Sequence, residues 1–416
     1  MDQDLPQLRI NSSRLWQRLM AMARHGATAA GGCNRQALTD EDKAGRDLFV
    51  QWCREAGCSL RIDAIGNIFA RREGLDSQAP PVITGSHLDT QPSGGKYDGI
   101  YGVLAGLEVM DTLNDARLDT THPLETVVWT NEEGCRFDTA MMGSAVWAGL
   151  MPLADAYALQ DRDGVSVQQE LERIGYRGTT AASVSPVHAA FELHIEQGPV
   201  LEAENRDIGV VNGVQHMSRY RIEIEGVEAH AGPTPMPLRK DPMMALARFL
   251  PALYQLAEDH APDGRITFGF IHAEPGSSNT VPGRLELTAD LRHPDAGQYQ
   301  SMVDALYDRV SKTCADLGLP CHIECFWEAP GVTFDQDCVD AVAAAVTKLD
   351  YTHRSIVSGA GHDACNLAAV VPTSMIFVPC EGGLSHNEAE AITEGQAEAG
   401  ANVLLHAMLE RARVVA

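Results

Sequence analysis

The sequence predicts an α/β domain with a mixed, largely parallel sheet flanked by helices, interrupted by an inserted α+β unit. Three observations carry this. Short apolar runs of β character alternate with helical segments up to about residue 212. From there the pattern changes to polar–apolar alternation, which marks half-exposed antiparallel strands. Near residue 331 the α/β pattern returns, so one discontinuous domain (1–212 and 329–416) should enclose another (213–328). A length of 416 residues at about 150 per domain agrees with two or three domains.

The elements follow in order. Arg14 to Ala23 and Asp40 to Cys53 carry apolar residues at helical spacing. Ile62 to Ala70, Pro81 to Thr84, Thr126 to Thr130 and Phe191 to Ile195 read as strands, with helices at Val103 to Leu113 and Val165 to Ile174. In the insert, Tyr220 to Glu225, Arg265 to Phe270 and Arg284 to Leu291 alternate, and helices are expected near 241–257 and 297–317. These elements suit an antiparallel sheet, four-stranded when complete, under two helices. Cys338 to Leu349 then reads as a helix and Thr373 to Val378 as a strand.

Composition narrows the function. Lys+Arg number 32 and Asp+Glu 57, a formal charge of −25. That charge repels a phosphate backbone and an anionic membrane surface, so neither nucleic acid nor membrane is expected as a partner. An anionic ligand would need a local cluster of donors and cations. No apolar run is long enough for a transmembrane helix. Met1-Asp2-Gln3-Asp4 lacks a basic and apolar leader pattern, so a cytoplasmic location is expected. The ten cysteines form no C-x-x-C pair, which fits reduced thiols.

Four β-like runs end in ionisable residues, and in open α/β sheets ligands bind beyond the carboxyl ends of strands. The first leads into Ser86-His87-Leu88-Asp89, where the Asp89 carboxylate could fix the tautomer of a metal-binding His87 or orient that ligand indirectly. The alternative is an ordinary hydrogen-bonded histidine. Asp98, between glycines in Ser93-Gly-Gly-Lys-Tyr-Asp-Gly99, is either a ligand bridging two ions or the cap of the next helix. In Glu132-Glu133, neighbouring side chains point in different directions. One can bind metal while the other serves as general base to a water; the alternative is a solvated acidic turn. His194 and His386 complete a set that alone would read as core or surface histidines. His87, Asp98, Glu133, His194 and His386 offer only N and O donors. That set suits two divalent ions, Zn²⁺, Mn²⁺, Co²⁺ or Ni²⁺, in a hydrolytic centre.

The insert adds His230 in the turn Gly226 to Pro235, Asn279 in a second polar turn, and Arg292 at the end of an alternating strand. An arginine fork and an amide suit a substrate carboxylate, and a histidine N–H suits an oxyanion. An ordinary turn for Asn279 and a surface ion pair for Arg292 are the alternatives. Gln215-His216 either faces a substrate or packs the hinge.

Several ordered motifs now come together: Gly85-Ser-His-Leu-Asp-Thr90, Gly94-Gly-Lys-Tyr-Asp-Gly99, Asn131-Glu-Glu-Gly-Cys-Arg-Phe137 and Glu192-Leu-His-Ile-Glu-Gln-Gly198. Ala229-His-Ala-Gly-Pro-Thr-Pro-Met236, Ser358-Gly-Ala-Gly-His-Asp-Ala364 and Leu384-Ser-His-Asn387 continue them. From about Ile83 to Glu388 the chain resembles the hydantoinase/carbamoylase amidases of the dinuclear-metal peptidase superfamily. The resemblance implies an inserted lid that also forms a homodimer. It implies that His87, Asp98, Glu133, His194 and His386 bind two metals with Asp98 bridging, that Glu132 is the base and that Asp89 supports His87. It further implies that His230 reaches the partner subunit's site, that Asn279 and Arg292 hold a small-molecule carboxylate substrate, and that Gln197 and the Gly359–Gly361 loop lie nearby. The implied reaction is hydrolysis of N-carbamoyl amino acids, with allantoate hydrolysis or aminopeptidase/deacylase activity as alternatives.

Overall fold

The structure, a computed structural model, describes residues 7–415; the stretch Met1-Asp2-Gln3-Asp4 read above lies outside the described residues. Two compact units form: Met1–Asn212 with Thr333–Ala416, and Gly213–Val332.

The first unit is built on a mixed sheet. Its strands lie in the order Ser59–Ile62, Ile68–Arg72, Leu124–Trp129, Val82–His87, Ala189–Ile195, Thr373–Val378, Ile208–Val214, with His353–Ser358 also pairing to Ile208–Val214. Leu124–Trp129, Val82–His87, Ala189–Ile195 and Thr373–Val378 run parallel to one another. Every residue in these four is buried, because both faces of the sheet are covered. On one face, helices Ile100–Ala116 and Glu394–Ala412 pack together against the strands. The fit is close: a Cβ on Gly102 would lie 2.2 Å from the Leu193 carbonyl oxygen. On the other, Trp147 and Leu367 from the short helices Met142–Trp147 and Asp363–Ala368 join Phe69, Ile83, Val127 and Trp129.

One expected strand is corrected. Ile62 to Ala70 is a hairpin, not a single strand, because Asp63 folds the chain back on itself. Its carboxylate accepts from Ile65 N (3.1 Å), Asn67 N (2.9 Å) and Asn67 Nδ2 (2.9 Å), and Gly66 turns with φ +86°.

The second unit is a four-stranded antiparallel sheet in the order Arg265–Glu274, Arg284–His293, His216–Glu225, Cys321–Ala329. Tyr220, Ile222, Ile224, Leu285, Leu287, Ala289 and Leu291 are buried with Phe249 and Leu253 of helix Pro242–Asp259 and Met302 and Leu306 of helix Ala296–Leu317. The intervening residues pair across strands, as in Arg219–Asp290 (3.2 Å) and Arg221–Glu286 (3.2 Å). His216 accepts from Gly331 N (2.9 Å) and stacks on Tyr299, which supports the packing reading of that residue. All ten cysteines are free, and no helix among the described residues is long and apolar enough to cross a membrane.

Candidate active site

The four parallel strands deliver their ends to one place. Val82–His87 closes on His87 itself, and Ala189–Ile195 carries His194 one residue before its end. Leu124–Trp129 runs through Thr130 and Asn131 into the glutamate pair, and Thr373–Val378 leads through a short turn to His386. Asp98 arrives from the loop before helix Ile100–Ala116. It is not that helix's cap, since the capping position is Gly99 and has no side-chain cap bond.

Asp98 is the hub. Its Oδ1 lies 3.6 Å from His87 Nε2 and 3.1 Å from His194 Nε2. Its Oδ2 lies 3.6 Å from His386 Nε2, which in turn is 3.3 Å from Glu133 Oε2. Two donor sets, His87–Asp98–His194 and Asp98–Glu133–His386, therefore share one carboxylate, one set on each oxygen. His87 Nδ1 lies 2.9 Å from the Asp89 carbonyl and His194 Nδ1 2.9 Å from the Ile195 carbonyl, an arrangement that turns both Nε2 atoms toward Asp98.

The reading of Asp89 needs correcting in one respect. Its backbone carbonyl, not its carboxylate, meets the His87 ring. The carboxylate accepts from the backbone N–H groups of Glu132 and Glu133, each at 3.2 Å, and so aims the glutamate pair. Asn131 enters that turn with φ +55°. The two glutamates diverge: Glu132 Oε2 sits 3.4 Å from His87 Nε2, while Glu133 turns toward His386.

Electrostatics favour cations here. Burial, then the charges of Asp363, Glu133, Asp89 and Asp98, raise Glu132 well above the usual carboxylate range. Burial and Asp98 raise Glu133 likewise. Burial alone would raise Asp98, but the bond and charge of His194, then His87 and His386, outweigh it and hold that carboxyl low. His194 is correspondingly held up at about 9, against its own burial, chiefly by Asp98. A bound dication reverses the penalty on such a carboxylate cluster, so the donor set fits divalent metal.

Other residues were not legible as site residues. Gln91 grips Glu133 through its N–H (3.1 Å) and Nε2 (2.8 Å). Ser385 donates to Asp98 Oδ2 at 2.8 Å. Glu390 accepts from Tyr97 N (2.9 Å) and Asp98 N (3.1 Å); burial and then Asp98 push it up to about 7. His362, in the same motif as Gly359 and Gly361, is buried with its ring 4.6 Å from that of His194. Gly361 passes close to Met141, where a Cβ would lie 3.3 Å from its Cε; Gly359 stands at the exposed tip of this loop. Gln197 donates from Nε2 to Asp98 Oδ2 (2.9 Å) and Ser385 Oγ (3.0 Å), and its buried Oε1 has no hydrogen-bond partner among the described residues.

In the second unit, exposed His230 and Asn279 adjoin, because the strand Ala229–His230 pairs with Thr280–Val281 and Ala231 N donates to the Asn279 carbonyl at 2.9 Å. Arg292 forks onto Asp290, with Nε–Oδ1 2.6 Å and Nη2–Oδ2 3.1 Å.

The comparison with known families decides the class. The family model described as peptidase family M20/M25/M40 matches residues 83–410. The chain belongs to this family. Among similar M20 proteins, the N-carbamoyl-L-amino-acid amidohydrolase of Rhizobium meliloti is 48% identical over 98% of both chains. The allantoate amidohydrolase of Bacillus subtilis is 34% identical over 92% of this chain and 93% of its own. A crystal structure of a hydantoinase/carbamoylase family amidase from Burkholderia multivorans superposes with a TM-score of 0.95 at 52% identity, covering 98% of this chain and 99% of the other.

Proposed function

We propose that this M20 enzyme hydrolyses the ureido C–N bond of N-carbamoyl-L-amino acids, giving amino acid, CO₂ and ammonia. The observation that carries the reading is the Asp98-centred double donor set with Glu132 beside it, in a chain 48% identical to an N-carbamoyl-L-amino-acid amidohydrolase. Two divalent ions, Zn²⁺, Mn²⁺, Co²⁺ or Ni²⁺, held by His87, His194, Asp98, Glu133 and His386, would supply Lewis-acid polarisation of the water and the ureido carbonyl.

The chain's own groups then divide the work. Glu132 takes a proton from water as the water oxygen attacks the ureido carbon. It returns that proton to the amino-acid nitrogen as the C–N bond breaks. The carbamate released decomposes to CO₂ and ammonia. Asp89 and Gln91 hold the two glutamates in their divergent directions. Gln197 Oε1, a buried acceptor, suits a ureido N–H. Arg292 and Asn279 would grip the carboxylate, with Asp290 fixing one edge of the guanidinium. His230 would stabilise the oxyanion from the partner subunit of a homodimer. The loop Gly359–Gly361 would border the substrate. A cytoplasmic location fits the ten free cysteines.

The test is ammonia release by metal-stripped protein with and without Mn²⁺ or Co²⁺, on N-carbamoyl-L-methionine, N-carbamoyl-β-alanine and allantoate. Metal-dependent ammonia from N-carbamoyl-L-methionine is expected. Ammonia from allantoate alone would transfer the chain to the allantoate reading. Ammonia from none of the three would overturn the substrate assignment and send the search to dipeptides and N-acyl amino acids.

A further inference from the structure

The two donor sets come from distant parts of the chain, and one buried carboxylate outside both ties them together. Glu390 is 3% exposed. Its Oε1 accepts from the backbone N–H groups of Tyr97 (2.9 Å) and Asp98 (3.1 Å), and its Oε2 lies 3.3 Å from Ser385 Oγ. The same Ser385 hydroxyl lies 2.8 Å from Asp98 Oδ2, and the next residue is His386. The backbone of the shared ligand and the loop of the last ligand are thus fastened to one side chain, across 292 residues of sequence. The space it occupies is reserved for it: a Cβ on Gly95 would lie 2.0 Å from Glu390 Oε1. A second glycine in Gly94-Gly95 is therefore a requirement of this carboxylate as much as of the turn.

We propose that Glu390 is a positioning residue that holds Asp98 and His386 in register, and so sets the affinity of the ion on the Asp98–Glu133–His386 side. This rests on the two-ion reading above. The ion on the His87–His194 side depends on it less, because those imidazoles are fixed by the carbonyls of Asp89 and Ile195. Partners that orient ligands typically alter metal affinity 10- to 100-fold.

The test is a Co²⁺ titration of the metal-stripped full chain, reading bound Co²⁺ per chain and visible Co²⁺ absorption. Wild type should take up two ions. Glu390→Ala should weaken one by about 10- to 100-fold and leave the other near its wild-type affinity. Glu390→Gln keeps an acceptor oxygen for the Tyr97 and Asp98 N–H groups and should restore most of the loss. Gly95→Ala, which evicts the carboxylate, should reproduce Glu390→Ala. Circular dichroism of the stripped proteins reports whether each variant folds. Two wild-type affinities in a folded Glu390→Ala variant overturn the proposal, as does equal weakening of both ions, the mark of general loosening. Wild-type uptake of one ion overturns the two-ion reading and this proposal with it. Substrate failure in the ammonia assay leaves the cobalt result intact, so the two failures are distinguishable.

Discussion

Gly99→Ala tests whether the backbone beside the hub is as tightly constrained as the structure shows. Gly99 has φ +73° and ψ −51°, a conformation that side chains rarely adopt, costing about 1–3 kcal/mol in a non-glycine residue. The added methyl also lands on the His87 imidazole, 2.3 Å from Cε1 and 2.4 Å from both nitrogens. Carbon contacts settle at about 3.5 Å, so the ring must retreat by about 1.2 Å. It is held by the Asp89 carbonyl at 2.9 Å. Overpacking of this kind adds about 1–3 kcal/mol. The two costs together predict a loss of about 2–6 kcal/mol in the metal-free protein, read as a fall of about 2–7 °C in melting temperature. His87 leaves its place, so metal uptake on the His87–His194 side should fall as well. Thermal denaturation of stripped protein and metal content after reconstitution measure both. Unchanged melting together with full metal content would refute the reasoning.

Three further outcomes are expected. Glu132→Gln should keep metal content and substrate binding while losing about 10²- to 10⁴-fold in turnover; normal turnover in steady-state assays would remove Glu132 as the base. Gln91→Ala should weaken metal about 10- to 100-fold by freeing the Glu133 carboxylate, measured by competition with a chelating dye; unchanged competition counts against it. Burial pushes His406, whose Nε2 meets the Leu8 carbonyl at 3.0 Å, down to about 4 from an ordinary value of 6.5. The unfolded chain then takes up the proton first. The associated stability is present above pH 6.5, is lost as pH falls toward about 4, and reaches at most about 3 kcal/mol. Urea melts should show this slope in wild type and its absence in His406→Gln; parallel curves would contradict it.

The parts of the fold that were readable are those where one physical demand dominates. The parallel strands are buried on both faces, so they stand out as apolar runs, and their ends carry residue types with few other reasons to follow such a run. In the second unit, Arg284 to His293 alternates because one face is buried and the other pairs charges across strands. The segment Ile62 to Ala70 misled because its apolar residues outweigh the Asp63 side chain that breaks it. Helix Glu394–Ala412 carries no amphipathic signal, since it is buried almost all round and its small residues fill close contacts. The candidate donor residues were legible from chemistry and order. Gln91, Ser385 and Glu390 were not, because each acts through proximity in space, and the His87–Asp89 motif disguised which atom of Asp89 does what.

The closure of the first unit by its last helix sets an order of events during synthesis. Glu394–Ala412 supplies the Asn402 oxygen that receives Ile10 N at 2.9 Å, and its Ala397 carbonyl receives the Tyr101 hydroxyl at 2.8 Å. His386 lies just ahead of it. Domains emerging from the ribosome usually fold as they appear, first segments first. Here the first 212 residues leave the tunnel with His87, Asp98, Glu133 and His194 already in the chain, yet the helix that seals their sheet is translated after the second unit. The second unit, continuous in sequence, can fold while the first waits. The growing chain therefore carries His87, Asp98, Glu133 and His194 on an unfinished scaffold while residues 195 to 385 are added, and the candidate donor set is complete only once His386 has followed the second unit.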